Sequence, residues 1–89
     1  MTSDEQLLLE NLLDAFDRLH DRAAQVVDIQ ALLVATAKAL PGAPLTPELE
    51  SSAKALMSIM RSRKMADEEA NESLDVLQPL RERLAAALP

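Results

Sequence analysis

The feature that most constrains this chain is an apolar ridge in its first half. Apolar side chains recur there at steps of three and four residues, the spacing of one face of an α-helix. The series fills the a and d positions of a heptad repeat, with one polar member. It comprises Leu9, Leu12, Phe16, Leu19, Ala23, Val26, Gln30, Leu33, Ala37 and Leu40. No glycine or proline interrupts the ridge, so the pattern predicts one long helix.

Turn and capping signals divide the rest of the chain into two further helices. The segment Pro41-Gly42-Ala43-Pro44 is a helix stop followed by a turn. Thr46 and Pro47 then form a typical helix start, and Asp67 is a candidate cap for the last helix. The predicted elements are helix 1 over 4–40, a turn over 41–46, helix 2 over 47–64, and helix 3 over 67–88 with a kink at Pro79.

Composition supports a single all-α domain over residues 1–89 and excludes several chemistries. Apolar residues make up 48% of the chain, mostly leucine and alanine, and Phe16 is the one aromatic residue. Strands are disfavoured because β-branched and aromatic residues are scarce. The lack of cysteine excludes disulfides, thiolate metal sites and cysteine nucleophiles. We expect no metal, no cofactor and no catalytic residues, because no second histidine or glycine-rich phosphate loop is present.

The apolar runs are too short to span a bilayer, and the acidic start of the chain is unlike a signal peptide. These two features predict a soluble, cytoplasmic protein that does not interact with membranes. The formal net charge of −6 also argues against general binding to nucleic acid. The basic cluster Arg61-Ser62-Arg63-Lys64 is short and is interpreted as a helix C-terminus, where cations complement the helix dipole.

The predicted lengths indicate how the helices pack. An unbroken helix 1 is about 55 Å long, whereas a compact domain of this size has a radius of gyration of about 12 Å. Helices 2 and 3 would return along helix 1 as an antiparallel hairpin or three-helix bundle. Because residues 29–34 are apolar nearly all round the helix, we expect self-association or a partner protein to complete a four-helix bundle. One alternative stays open: Asp21 and Asp28 cap a break in helix 1, which gives a compact monomeric four-helix bundle.

A row of acidic residues lies opposite the ridge on helix 1. Such rows are commonly a solvated outer face. Most members here are aspartate, a weaker helix former than glutamate, and short carboxylates in a row suit docking against arginine and lysine. The predicted protein-binding residues are this row together with apolar neighbours: Glu10, Asp14, Asp17, Asp21, Asp28, Ile29, Leu32 and Val34.

Charge is uneven along the chain. Residues 1–30 have a net charge of −5, residues 31–66 of +3 and residues 67–89 of −4. These values and the acidic row favour a non-enzymatic module that caps or inhibits a basic partner protein, as immunity proteins, antitoxins and small chaperones do. The main alternative is a homodimeric structural bundle with no separate ligand.

Two short patterns bear on carrier functions. A lone histidine, His20, in a helical bundle resembles histidine phosphotransfer domains, which implies a phosphocarrier role as a remote alternative. The lysine and glycine that follow the histidine in that family are absent from Asp21-Arg22-Ala23-Ala24. The tripeptide Ser73-Leu74-Asp75 resembles part of the acyl carrier protein signature, but it falls inside a predicted helix with only 16 residues after it.

Overall fold

A computed structural model describes residues 2–89, and these residues form a bundle of four α-helices. The helices are α1 (Ser3–His20), α2 (Val26–Ala39), α3 (Thr46–Arg61) and α4 (Ala66–Ala87). The prediction of an all-α bundle is confirmed. The count of three helices is wrong, because the long first helix is interrupted at residues 21–25 and its two halves fold against each other.

The four helices run alternately up and down. Each helix packs against the next and α4 packs back against α1, so α1 and α3 are diagonal to each other. At one end of the bundle, a cavity is lined by residues in or next to the two connections there, among them Leu19, Val26, Lys64 and Ala70. At the other end, Leu9, Leu40, Leu45 and Ala87 line a second cavity. Short connections between antiparallel neighbours are typical of this architecture.

The interruption of the first helix depends on Arg22. This residue has a φ of 62°, in the left-handed region where glycine is usually found. The amide of Arg22 donates to the carbonyl of Leu19 (3.1 Å) and that of Ala23 to the carbonyl of Arg18 (2.8 Å). These two bonds form a Schellman motif, which satisfies the last carbonyls of α1 and turns the chain.

The side chain of Arg22 compensates for the strained backbone. Its guanidinium donates to the carbonyls of Leu19 (3.2 Å) and His20 (3.3 Å), both at the end of α1. It also donates to the side chains of Asp67 (3.1 Å) and Asn71 (2.7 Å), at the start of α4. One side chain thus joins the end of α1 to the start of α4 and stabilises the turn.

The helix restarts at α2 with a carboxylate cap. The side chain of Asp28 accepts a hydrogen bond from the amide of Gln25 at 2.9 Å, which satisfies a donor that the helix itself leaves free. Asp28 therefore helps to form the break, as the alternative interpretation of the sequence anticipated. Asp21 is the residue that follows α1, and its backbone amide closes the last turn on the carbonyl of Asp17.

The other two connections lie close to the predicted positions. Gly42 takes a φ of 77° in the turn between α2 and α3. Thr46 begins α3 but does not cap it, because its hydroxyl donates back to the carbonyl of Leu40. Asp67 lies in the first turn of α4, and Met65 occupies the cap position instead. The helix α4 continues through Pro79, on its exposed side, and the kink expected there remains a prediction.

The core is formed by leucines from all four helices around Phe16. Its fully buried members include Leu12, Phe16, Leu19, Ile29, Leu33, Leu49, Leu56, Leu77, Leu80 and Leu84. The break resets the helical phase, so Ile29 and Thr36 face the core in α2 while Gln30 lies half-buried at the α2–α3 boundary. A single chain thus covers most of the apolar ridge, and the ridge no longer requires a companion. No helix within residues 2–89 has the length and hydropathy needed to cross a membrane.

Candidate protein-binding site

The acidic charge is concentrated on two neighbouring helices. Helix α1 has five acidic residues and one arginine, and α4 has six acidic residues and two arginines, so each has a net charge of −4. Helices α2 and α3 each have a net charge of zero. Because α1 and α4 pack side by side, the acidic segments near the two ends of the chain become one surface.

We define the acidic face by its exposed carboxylates on the outward sides of these helices. Glu68, Asp75 and Glu82 are spaced seven residues apart on α4, which places them in line along one side of the helix. The α1 members follow at steps of three and four residues along its exposed side. The acidic face comprises Glu10, Asp14, Asp17 and Asp21 from α1 and its C-terminal end, and Glu68, Asp75 and Glu82 from α4.

Arg22 and Arg81, near this face, are engaged within the bundle, whereas the exposed Arg18 of α1 takes part in none of the ion pairs of residues 2–89. Arg81 of α4 contacts Asp17 of α1, with 2.5 Å between its Nη2 and the carboxylate Oδ1. Arg22 contacts Asp67, as described above. Both pairs cross the boundary between α1 and α4. Asp17 is consequently less available to a partner than the other members of the face.

Most other carboxylates of the acidic face have no cationic partner within the described part of the chain. Glu10 and Glu82 accept hydrogen bonds from the amides of Gln6 (3.0 Å) and Gln78 (3.3 Å), each one turn earlier in its helix. These neutral amides leave the carboxylate charge uncompensated. The ion pairs of residues 2–89 also do not include Asp14, Glu68 or Asp75. The face is therefore a strong source of negative potential.

The structure separates the predicted site residues into four groups. Glu10, Asp14, Asp17 and Asp21 lie together on the acidic face, whereas Asp28 is on α2 and caps its start. Ile29 is only 1% exposed, so it belongs to the core and cannot contact a partner. Leu32 and Val34 are half-buried on α2, and Val34 lines the groove between α2 and α3. These residues are separated because the predicted row assumes one continuous helix, whereas the structure has a break at residues 21–25.

Sequence reasoning missed the contribution of α4. The seven-residue spacing of Glu68, Asp75 and Glu82 was a signal in the sequence, but the pairing of α4 with α1 depends on the reversal at Arg22. From the sequence alone, the acids of residues 67–89 therefore form a group separate from those of residues 1–30.

The carrier patterns find little support. The Nδ1 atom of the exposed His20 lies 3.3 Å from the Oδ1 atom of Asp21, and this carboxylate would repel a phosphoryl group. Ser73 is fully buried, with a hydroxyl that has no hydrogen-bond partner, so a prosthetic group cannot reach it. In the basic cluster, Arg61 ends α3 and Lys64 pairs with Glu72 (3.1 Å). Residues 2–89 contain no grouping of three or more potential metal ligands.

Comparison with known proteins found no matching family model, no similar curated protein and no similar solved structure.

Proposed function

We propose that this protein is a non-enzymatic binding module whose acidic face docks on a basic surface of another protein. The observation that carries the proposal is the juxtaposition of α1 and α4, each with a net charge of −4, on one side of the bundle. A charged surface of this kind attracts a partner of opposite sign and accelerates its association.

The structure of the face suits a capping or inhibitory role of the immunity, antitoxin or chaperone type. Its carboxylates are on two helices that share one hydrophobic core, and the Asp17–Arg81 and Arg22–Asp67 pairs cross the boundary between them. A rigid array loses little conformational entropy on binding. Short carboxylates also accept paired hydrogen bonds from arginine, which favours an arginine-rich target over a lysine-rich one.

The test is affinity capture with charge-neutral variants of the same shape. The double variant Asp14→Asn/Asp75→Asn removes one carboxylate from each helix of the acidic face. The control, Asp4→Asn/Glu69→Gln, makes the same change in net charge at first-turn acids outside that face. Thermal melting of both variants checks that the fold is retained.

The proposal expects one stoichiometric basic partner with the wild-type protein and with the control. Capture should fall at least roughly tenfold with the double variant and decrease with added salt, because the contacts are electrostatic. Equal capture by the two variants would refute the acidic face as the binding site. A captured partner that is acidic, or whose binding is insensitive to salt, would refute the proposed electrostatic contact with a basic surface.

A further inference from the structure

A second surface, on the opposite side of the bundle, is a groove between α2 and α3. Its volume is about 360 Å³. Val34 and Ala37 of α2 and Ala53 and Met57 of α3 provide apolar walls, and the small alanine side chains leave the space between the helices. The rim is polar and consists of Gln30, Lys38, Glu50 and Lys54.

We propose that two copies of this chain pair through the α2–α3 groove, related by a two-fold axis. The distribution of charge favours this side of the bundle. A second copy that approaches the acidic face meets a surface of its own sign, whereas α2 and α3 each have a net charge of zero. Like-charge juxtaposition disfavours the first arrangement and leaves the groove side as the surface on which two copies meet without repulsion.

The groove side of the bundle is also complementary to itself. A two-fold interface requires that the same patch carry both members of each contact. Glu50 and Lys54 are one helical turn apart on the exposed side of α3, and neither takes part in the ion pairs of residues 2–89. A two-fold axis that crosses α3 between them places Glu50 of each copy opposite Lys54 of the other. Lys38 is exposed at the rim, where its ammonium group stays in water.

The surface beside the groove permits close approach. Between Asp28 and Lys38, α2 has no charged residue, and its exposed side carries Ala31 and Ala35. The face is two helices wide and, with the 14 residues of α2, about 21 Å long. The buried surface is on the order of 500 Å² per copy, at the lower limit of stable interfaces. We therefore expect a dimer with a dissociation constant in the micromolar range.

This inference does not rest on the proposed function, and the experiment uses the purified chain without any partner. Sedimentation measures the mass of the wild type and of the single variants Glu50→Lys and Lys54→Glu, over protein concentrations of about 1 µM to 1 mM. Both substitutions are at exposed positions, so the fold should persist. Glu82→Lys on the acidic face is the matched control for the charge change.

The wild type and Glu82→Lys should form a dimer. Each groove variant alone should bind itself at least roughly tenfold more weakly, because like charges then face each other. An equal mixture of Glu50→Lys and Lys54→Glu should regain the dimer, since the two lysines of one copy then face the two glutamates of the other. A monomeric wild type would overturn the proposal, as would a dimer insensitive to both variants or a mixture that stays monomeric.

Discussion

The first half of the chain reverses direction twice, and the two reversals use different chemistry. Between α2 and α3, Gly42 supplies a left-handed backbone at no steric cost, next to two prolines that cannot continue a helix. Between α1 and α2, Arg22 adopts a similar backbone with a full side chain, and hydrogen bonds from that side chain offset the strain. The first kind of turn depends on local residues, whereas the second depends on the assembled bundle.

This difference explains why one reversal could be predicted from the sequence with more certainty than the other. The stop at Pro41 and the helical content were predicted correctly because backbone preferences act locally. The sequence supports the break at residues 21–25 only as an alternative, because no glycine or proline marks it. The bonds that stabilise it come from Asp67 and Asn71, which are 45 and 49 residues further along the chain. Such partners can be assigned only when the topology is known.

The candidate site shows the same limit. The acidic row of α1 was visible as a local pattern, and four of its five members lie together. The fifth, Asp28, was placed in that row by a continuous helix that does not exist. The contribution of α4 to the acidic face required the long-range contact between α1 and α4.

The largest expected effect in the comparison is that of Arg22→Ala. Alanine keeps the strained backbone but loses the four bonds of the guanidinium. We expect the free energy of unfolding to fall by about 2 kcal/mol, as measured by urea denaturation.

Arg63→Ala is the matched control for that variant. Arg63 also has a positive φ, of 55°, but its guanidinium makes no hydrogen bond within residues 2–89. Its loss should change the free energy of unfolding by no more than about 0.5 kcal/mol. If both variants cost the same, the role assigned to the Arg22 side chain is wrong.

Substitutions at Gly42 and Arg22 measure how much the left-handed backbone of each turn costs in stability. A β-carbon on Gly42 would meet no atom within 4 Å, so Gly42→Ala reports backbone strain alone. We expect it to lower stability by about 1 kcal/mol. For the same reason, Arg22→Gly should be about 1 kcal/mol more stable than Arg22→Ala in the same urea experiment. A Gly42→Ala variant as stable as the wild type would show that the turn relaxes.

The cap at the start of α2 makes a smaller contribution. Asp28→Ala removes the carboxylate that accepts from the Gln25 amide and also removes a negative charge from a helix start. Both losses destabilise the restart, by about 0.5–1 kcal/mol together. Thermal melting at low ionic strength measures the change. Asp28→Asn keeps an acceptor oxygen and should lose less, so equal losses would argue against the hydrogen bond.

The smallest effect is expected away from the reversals. Asp17 and Arg81 form an ion pair in which both side chains are about half exposed. Asp17→Asn should therefore lower the free energy of unfolding by at most about 0.5 kcal/mol. A loss as large as that of Arg22→Ala would mean that the Asp17–Arg81 pair contributes as much to the packing of α1 against α4 as the Arg22 side chain does.

The break in the first helix is the central claim, since both the closed core and the acidic face depend on it. The chain has no cysteine, so Asn11→Cys/Ala35→Cys introduces two exposed sites for spin labels. Diluting labelled chains into unlabelled protein confines the measured distance to one molecule. With α1 folded back on α2, double electron–electron resonance spectroscopy should give a distance of roughly 20 Å between the labels. A distance of roughly 36 Å or more, the span of an unbroken helix over these residues, would contradict the account.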